Sequence, residues 1–231
     1  MHAIATLVIM LHGAGGGGWE YDLWKPVFEK QGYQVIARDL VSGPRGLAAT
    51  TLADYVDEAA AWIPAKHGPI VIVGASMGGA IALKLAERVH PQAVVLVDSV
   101  VPAGVGPARA PEKHPAIIEW AHGPLKDTTD SMPDSDAATQ LWAWPKWRNE
   151  SGAVMDELSN GVPCFRPTCP TLSVLGEDDT DVGYAPGLAL AAWAHADIRA
   201  YQGMSHVGPL MSRRAAEVAS DVTKWLRSRG L

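Results

Sequence analysis

Basic residues are scarce in this chain of 231 residues: 19 lysines and arginines stand against 25 aspartates and glutamates, a formal net charge of -6. They form no run, which argues against nucleic acid or an anionic membrane surface as a partner. Long apolar stretches are missing too. The N-terminal one, "TLVIML", is far short of the roughly 20 residues of a transmembrane helix, and no charged segment precedes it. Neither a membrane span nor a secretory signal is expected, and the expected compartment is the cytoplasm. Cysteine is confined to Cys164 and Cys169 in "PCFRPTCP". Two thiols without an adjacent histidine make no zinc site, and in a reducing compartment they are expected to stay ordinary thiols. No internal repeat and no low-complexity segment interrupts the chain.

What is present is apolar: 48% of the residues are hydrophobic, enough for a sizeable core. Six β-like runs stand out, "TLVIML", "YQVIARD", "PIVIVG", "AVVLVD", "TLSVLG" and "DIRAY". Most are continuous rather than alternating, as in strands buried on both faces of a parallel sheet. Helical patterns lie between them, over about 21–31, 52–66, 77–88, 187–193 and 214–229. The expected fold class is α/β, a mostly parallel sheet of about six strands with helices on both faces. The alternation breaks after "AVVLVD". Residues 1–101 and 168–231 are expected to form the core, with 102–167 inserted as a small helical cap or lid that shows no clear strand. That insertion carries Trp120, Trp142, Trp144 and Trp147 of the chain's nine tryptophans, candidates for lining a pocket.

Two glycine patterns compete for the chemistry. In "LHGAGGGGWE", Gly13, Gly15 and Gly18 satisfy G-x-G-x-x-G, and Asp39 falls where a dinucleotide fold places its ribose acid. Gly18 is followed by Trp19 and Glu20 rather than Lys and Ser or Thr, which excludes a P-loop. In "IVIVGASMGGAIALKLAER", Gly74, Ser76 and Gly78 satisfy G-x-S-x-G between a strand and a helix. A strand that turns into a helix over one residue strains the backbone at the serine, and glycines two before and two after remove colliding side chains. Ser76 would then stand at the positive N-terminus of the helix. Its alternative is a plain helix N-cap.

A serine nucleophile needs a base, which an acid must orient. His206 in "YQGMSHVGPL" follows the last strand and precedes the last helix, where such a base belongs. The acid should follow an earlier strand, and "TLSVLGEDDTDV" offers Asp179, with Asp178, Asp181 and the strand-end Asp98 as alternatives. A dinucleotide site gives no reason for either the serine elbow or His206.

The order Ser76, Asp179, His206 is that of the α/β-hydrolase fold. With "LHGAGGGGW", "GASMGG", "LGEDDTDV" and "GMSHVGPL", the chain resembles the α/β-hydrolase superfamily over nearly its whole length. More narrowly it is similar to the small methylesterase and hydroxynitrile-lyase group. The resemblance implies an oxyanion hole from the N–H groups of Ala14 and Met77, with Gly15 and its neighbours leaving space above Ser76 and His12 bracing the loop. It implies hydrolysis of a small to medium ester, apolar or aromatic to suit the tryptophans, with no cofactor, no metal and no macromolecular partner. Plant hydroxynitrile lyases of that group carry threonine where this chain has Gly13, which favours hydrolysis. C–C hydrolysis, cofactor-free haloperoxidase chemistry and a slow ligand-binding sensor are the other possibilities of the fold.

Overall fold

The computed structural model describes residues 4–106, 110 and 112–231. In chain order its strands and helices are β1 (Leu7–Leu11), α1 (Lys25–Lys30), β2 (Gln34–Ala37), α2 (Leu52–Ala61), β3 (Ile70–Ala75), α3 (Met77–Val89), β4 (Ala93–Val97), β5 (Ile117–Ile118), α4 (Leu125–Ser131), α5 (Ala137–Ala143), β6 (Glu150–Ser151), α6 (Gly152–Asn160), β7 (Thr171–Gly176), α7 (Tyr184–Ala194), β8 (Asp197–Tyr201), α8 (Gly208–Met211) and α9 (Ala215–Ser228). The six apolar runs become one parallel sheet in the order β2-β1-β3-β4-β7-β8.

The continuous runs read correctly because the four central strands are covered on both faces. Every residue of β1, β3, β4 and β7 is buried, whereas the edge strands β2 and β8 are partly exposed. Successive strand residues alternate between two cores. Val8, Met10, Val71 and Val73 pack with Trp24 and Phe28 of the α1 region and with Val218 and Val222 of α9. Leu7, Ile9, Leu11, Ile70 and Ile72 pack with Tyr55 of α2, Ile81 and Leu85 of α3 and Leu190 of α7. α2 begins on a capping box: Thr51 accepts the Asp54 N–H and the Asp54 carboxylate accepts the Thr51 N–H. Among the described residues no helix is long and apolar enough to cross a membrane.

The chain enters the sheet at β1, steps to β2 on one side, then crosses back to β3 on the other. The crevice at the carboxyl ends of β1 and β3 is therefore a topological switch point, where open α/β sheets bind ligands. Residues 102–167, of which 107–109 and 111 lie outside the described residues, hold α4, α5 and α6 over this end. No strand was expected here, yet β5 and β6 form a short antiparallel ladder, Ile117 opposite Ser151 and Ile118 opposite Glu150. Two-residue strands are too short to show any period in sequence. The first helix also starts later than 21, after a 3-10 turn over Gly18–Tyr21.

Candidate active site

Ser76 sits between β3 and α3 at φ 51° and ψ -120°, a conformation that L-residues avoid. The flanking glycines are required by close backbone approach. A Cβ on Gly74 would lie 2.2 Å from the Gly78 carbonyl oxygen, and one on Gly78 would lie 2.0 Å from that of Leu11. The elbow is pinned to β4 by the Ser76 N–H, which donates to Val97 O at 3.0 Å. Ser76 lines a cavity of about 650 Å³ beneath residues 102–167.

His206 lies on the loop after β8 and borders the same cavity. Its Nδ1 stands 3.0 Å from Asp179 Oδ1, with the two side chains 10% and 1% exposed. The same Asp179 oxygen accepts the N–H groups of Asp181 at 2.8 Å and Val182 at 3.1 Å. Burial works to raise the pKa of Asp179, but the adjoining His206 and those two N–H groups outweigh it and hold the carboxyl below its usual range. Burial opposes protonation of His206, and the adjoining Asp179 carboxylate, with Asp181 behind, lifts it above the usual imidazole range. Of the alternative acids, Asp178 is exposed and Asp181 borders the cavity, its N–H spent on Asp179. Asp98 is buried, and one oxygen each of Asp98 and Asp179 and one ring nitrogen of His206 lie within 4.8 Å of one another.

The glycine cluster is a loop held from four sides. His12, fully buried, accepts the Leu40 N–H on Nε2 at 2.8 Å, which leaves the Nδ1 proton facing Gly13 O at 2.8 Å. Burial pushes this imidazole down to about 4, so it is neutral at pH 7. Asp39 accepts the Gly18 N–H at 2.8 Å and serves as a loop cap. Arg148 donates from its backbone N–H to Gly15 O and from Nε to Gly16 O, both at 2.7 Å. Glu150, 2% exposed, accepts the Gly15 N–H at 3.0 Å and the Tyr55 hydroxyl at 2.6 Å. Ala14 and Met77 border the cavity, Met77 as the first residue of α3.

Trp120, Trp144 and Trp147 border the cavity, whereas Trp142 and Gly15 do not. Trp142 packs edge-on against Trp19 at 5.6 Å with Lys146 over its ring. Gly15, at φ 67°, lies against Trp120, whose ring a Cβ there would meet at 2.4 Å. Cys164 and Cys169 are free thiols.

Sequence reasoning missed Arg148 and three carboxyl groups. Glu20, fully enclosed, borders the cavity and accepts the Gly13 N–H on Oε2 at 3.1 Å. Burial raises its carboxyl to about 7 against the pull of the Gly13 N–H, His206 and Arg148. Asp134 reaches from the α4–α5 connection to the histidine loop and accepts the Ser205 hydroxyl at 2.6 Å. Glu150 is the third. A carboxylate within a glycine-rich or polar stretch reads as solvated, and partners as many as 135 residues away leave no local pattern.

A serine at a strained strand-to-helix turn on the carboxyl edge of a parallel sheet, with a buried acid after β7 and a histidine after β8, is the arrangement of the α/β hydrolases. Residues 8–221 match the Alpha/beta hydrolase family, and the chain belongs to it. It is 34% identical over 112 residues to norfluorocurarine synthase 1 of a Strychnos species, a stretch covering 43% of this chain and 40% of that one. It is 31% identical over 111 residues to a pyrethroid hydrolase of Sphingobium wenxiniae, covering 46% and 39%. The matches thus span about two-fifths of these relatives. The fold superposes on a pyrethroid hydrolase from Sphingobium faniae with a TM-score of 0.72 at 19% identity, over 97% of this chain and 99% of that one. A methylesterase from Arabidopsis gives 0.71 at 14% identity, over 96% and 100%. At such identities the likeness is one of fold.

Proposed function

We propose that the protein is a carboxylic ester hydrolase acting through Ser76, His206 and Asp179. The observation that carries this reading is the 3.0 Å contact of His206 Nδ1 with a buried Asp179, in a cavity that also holds a serine at a strained elbow. His206, its Nδ1 beside the Asp179 carboxylate, takes the Ser76 proton on Nε2 as Ser76 Oγ attacks the ester carbonyl. The N–H groups of Ala14 and Met77 receive the oxyanion, an interaction that contributes several kcal/mol only as charge develops. His206 then returns the proton to the departing alcohol. Water, deprotonated by His206, attacks the acyl-enzyme and releases the acid and Ser76.

Residues 102–167 serve as the cap of this site, with Trp120, Trp144 and Trp147 offering apolar surface to a small or medium, apolar or aromatic ester. The names of the similar proteins, a pyrethroid hydrolase and a methylesterase, support ester cleavage. Gly13, whose would-be Cβ would stand 3.4 Å from Ser76 Cβ, occupies the position where the plant hydroxynitrile lyases that the chain resembles carry threonine, which supports hydrolysis over the lyase reaction. The test is turnover of p-nitrophenyl acetate and butyrate, with covalent uptake of a serine-directed phosphonate. Wild type is expected to be active and labelled, and Ser76→Ala neither. An inert, unlabelled wild type would overturn the reading.

A further inference from the structure

Behind Asp179 lies a second carboxyl group that the mechanism above does not use. Asp98 terminates β4 at φ 38°, a left-handed conformation uncommon for a non-glycine residue. Its N–H continues the sheet by donating to Val174 O at 3.0 Å, and Oδ1 accepts the Gly176 N–H at 2.9 Å. Oδ2 is buried with no hydrogen-bond partner among the described residues, on a residue 2% exposed. Buried polar atoms are seldom left so, and an unpaired one within a functional cluster calls for an explanation. The cluster is at hand: one oxygen each of Asp98 and Asp179 and a ring nitrogen of His206 fall within 4.8 Å of one another.

We propose that Asp98 is a positioning residue, a reserve carboxyl that stands behind the His206–Asp179 pair and assumes the negative charge when Asp179 is removed. This rests on the Ser76–His206–Asp179 reading. Two carboxylates this close in a dry site do not both ionise, and one keeps a proton. Asp179 has the better claim to the charge, since its Oδ1 collects the Asp181 and Val182 N–H groups as well as His206. Asp98 has one N–H donor, and burial, then the charges of Asp179 and more distantly Asp134, drive it towards the neutral acid. With Asp179 amidated, the strongest repulsion on Asp98 is gone. The proton it held is released to solvent, and a carboxylate remains within reach of the imidazole to stabilise it as it takes the Ser76 proton.

The experiment measures kcat/KM for p-nitrophenyl butyrate from pH 5 to 9 in wild type, Asp98→Asn, Asp179→Asn, the double variant and Ser76→Ala, with folding checked by circular dichroism. Asp98→Asn keeps an oxygen for the Gly176 N–H and is expected to cost only a few-fold alone. In the Asp179→Asn background the same substitution is expected to cost at least about tenfold more, an interaction that distant or merely structural residues do not show. Activity of Asp179→Asn is expected to rise with pH as Asp98 ionises, and that rise to vanish in the double variant. If Asp179→Asn unfolds, Asp179→Ser, which keeps an oxygen for the Asp181 and Val182 N–H groups, takes its place. Equal costs of Asp98→Asn in both backgrounds would overturn the inference while Ser76→Ala stays inactive. Turnover surviving Ser76→Ala would instead overturn the serine mechanism itself.

Discussion

The N–H of Gly13 donates to Oε2 of Glu20 at 3.1 Å, which ties the loop before Ala14 to a carboxyl group enclosed beside the cavity. Glu20 is raised from 4.5 to about 7 in the fold, chiefly by burial. The folded state therefore holds this proton more tightly than the unfolded chain between those values. Stability from this group is full below about pH 4.5, declines up to about pH 7 and is level beyond, a loss of about 3 kcal/mol. Glu20→Gln keeps an acceptor for Gly13 without the titration. Its stability relative to wild type, from urea unfolding between pH 4 and 8, is expected to rise by about that amount across the window. A difference that stays constant with pH would mean that Glu20 titrates normally.

Little of that clamp was legible in the sequence, though much of the sheet was. Strands β1, β3, β4 and β7 are buried on both faces, so each reads as an unbroken apolar run, and their order along the chain is preserved in the fold. The elbow was legible because Gly74 and Gly78 answer a local steric demand that leaves a local pattern. Glu20, Glu150, Arg148 and Asp134 act across distances that leave none. Asp39 shows the converse. Its spacing from Gly18 fits a ribose acid, yet its carboxylate caps the Gly18 N–H. Trp142, one of four tryptophans in a Trp-rich segment, packs on Trp19 rather than on the cavity.

Gly78→Ala is expected to destabilise strongly, because the new Cβ would stand 2.0 Å from Leu11 O and 2.7 Å from His12 O, both fixed backbone atoms. A cost of about 3 kcal/mol, at the upper end of overpacking, is expected in urea unfolding. Gly203→Ala is the control. Gly203 has φ 73° with nothing near its would-be Cβ, so it should show only the left-handed backbone cost of about 1–2 kcal/mol. Equal losses at the two positions would refute the steric account of the elbow.

Arg148 and Glu150 hold the glycine loop without bordering the cavity themselves. Arg148→Ala removes the side-chain donor to Gly16 O, one of the restraints on where the Ala14 N–H points, and leaves the backbone N–H on Gly15 O. Under the proposed oxyanion role of that N–H the effect falls on the transition state, and kcat is expected to drop about tenfold to a hundredfold with little change in KM. Arg148→Lys should recover only part, since Nε reaches Gly16 O while Nη1 reaches Leu40 O, a fork that an ammonium does not reproduce. A rise in KM at unchanged kcat would assign Arg148 to substrate binding instead.

The charge around the cavity sets the last expectation. Among the described residues its ionisable lining comprises Glu20, Glu112, Glu119, Asp127 and Asp181 with His114 and His206, and no lysine or arginine. His114 already faces Glu112 at 3.4 Å, but Glu119, Asp127 and Asp181 are exposed around the opening. A cleft lined by one sign of charge concentrates ligands of the other and repels its own. Of two acetate esters of matched size, one bearing a trimethylammonium group and one a carboxylate, the cation is expected to have the higher kcat/KM, by about tenfold at low ionic strength. Because these acids are solvent-exposed, about 0.5 M salt should shrink the gap to a few-fold. A carboxylate ester turned over as fast as its cationic counterpart at low salt would show that this acidic lining does not steer the substrate.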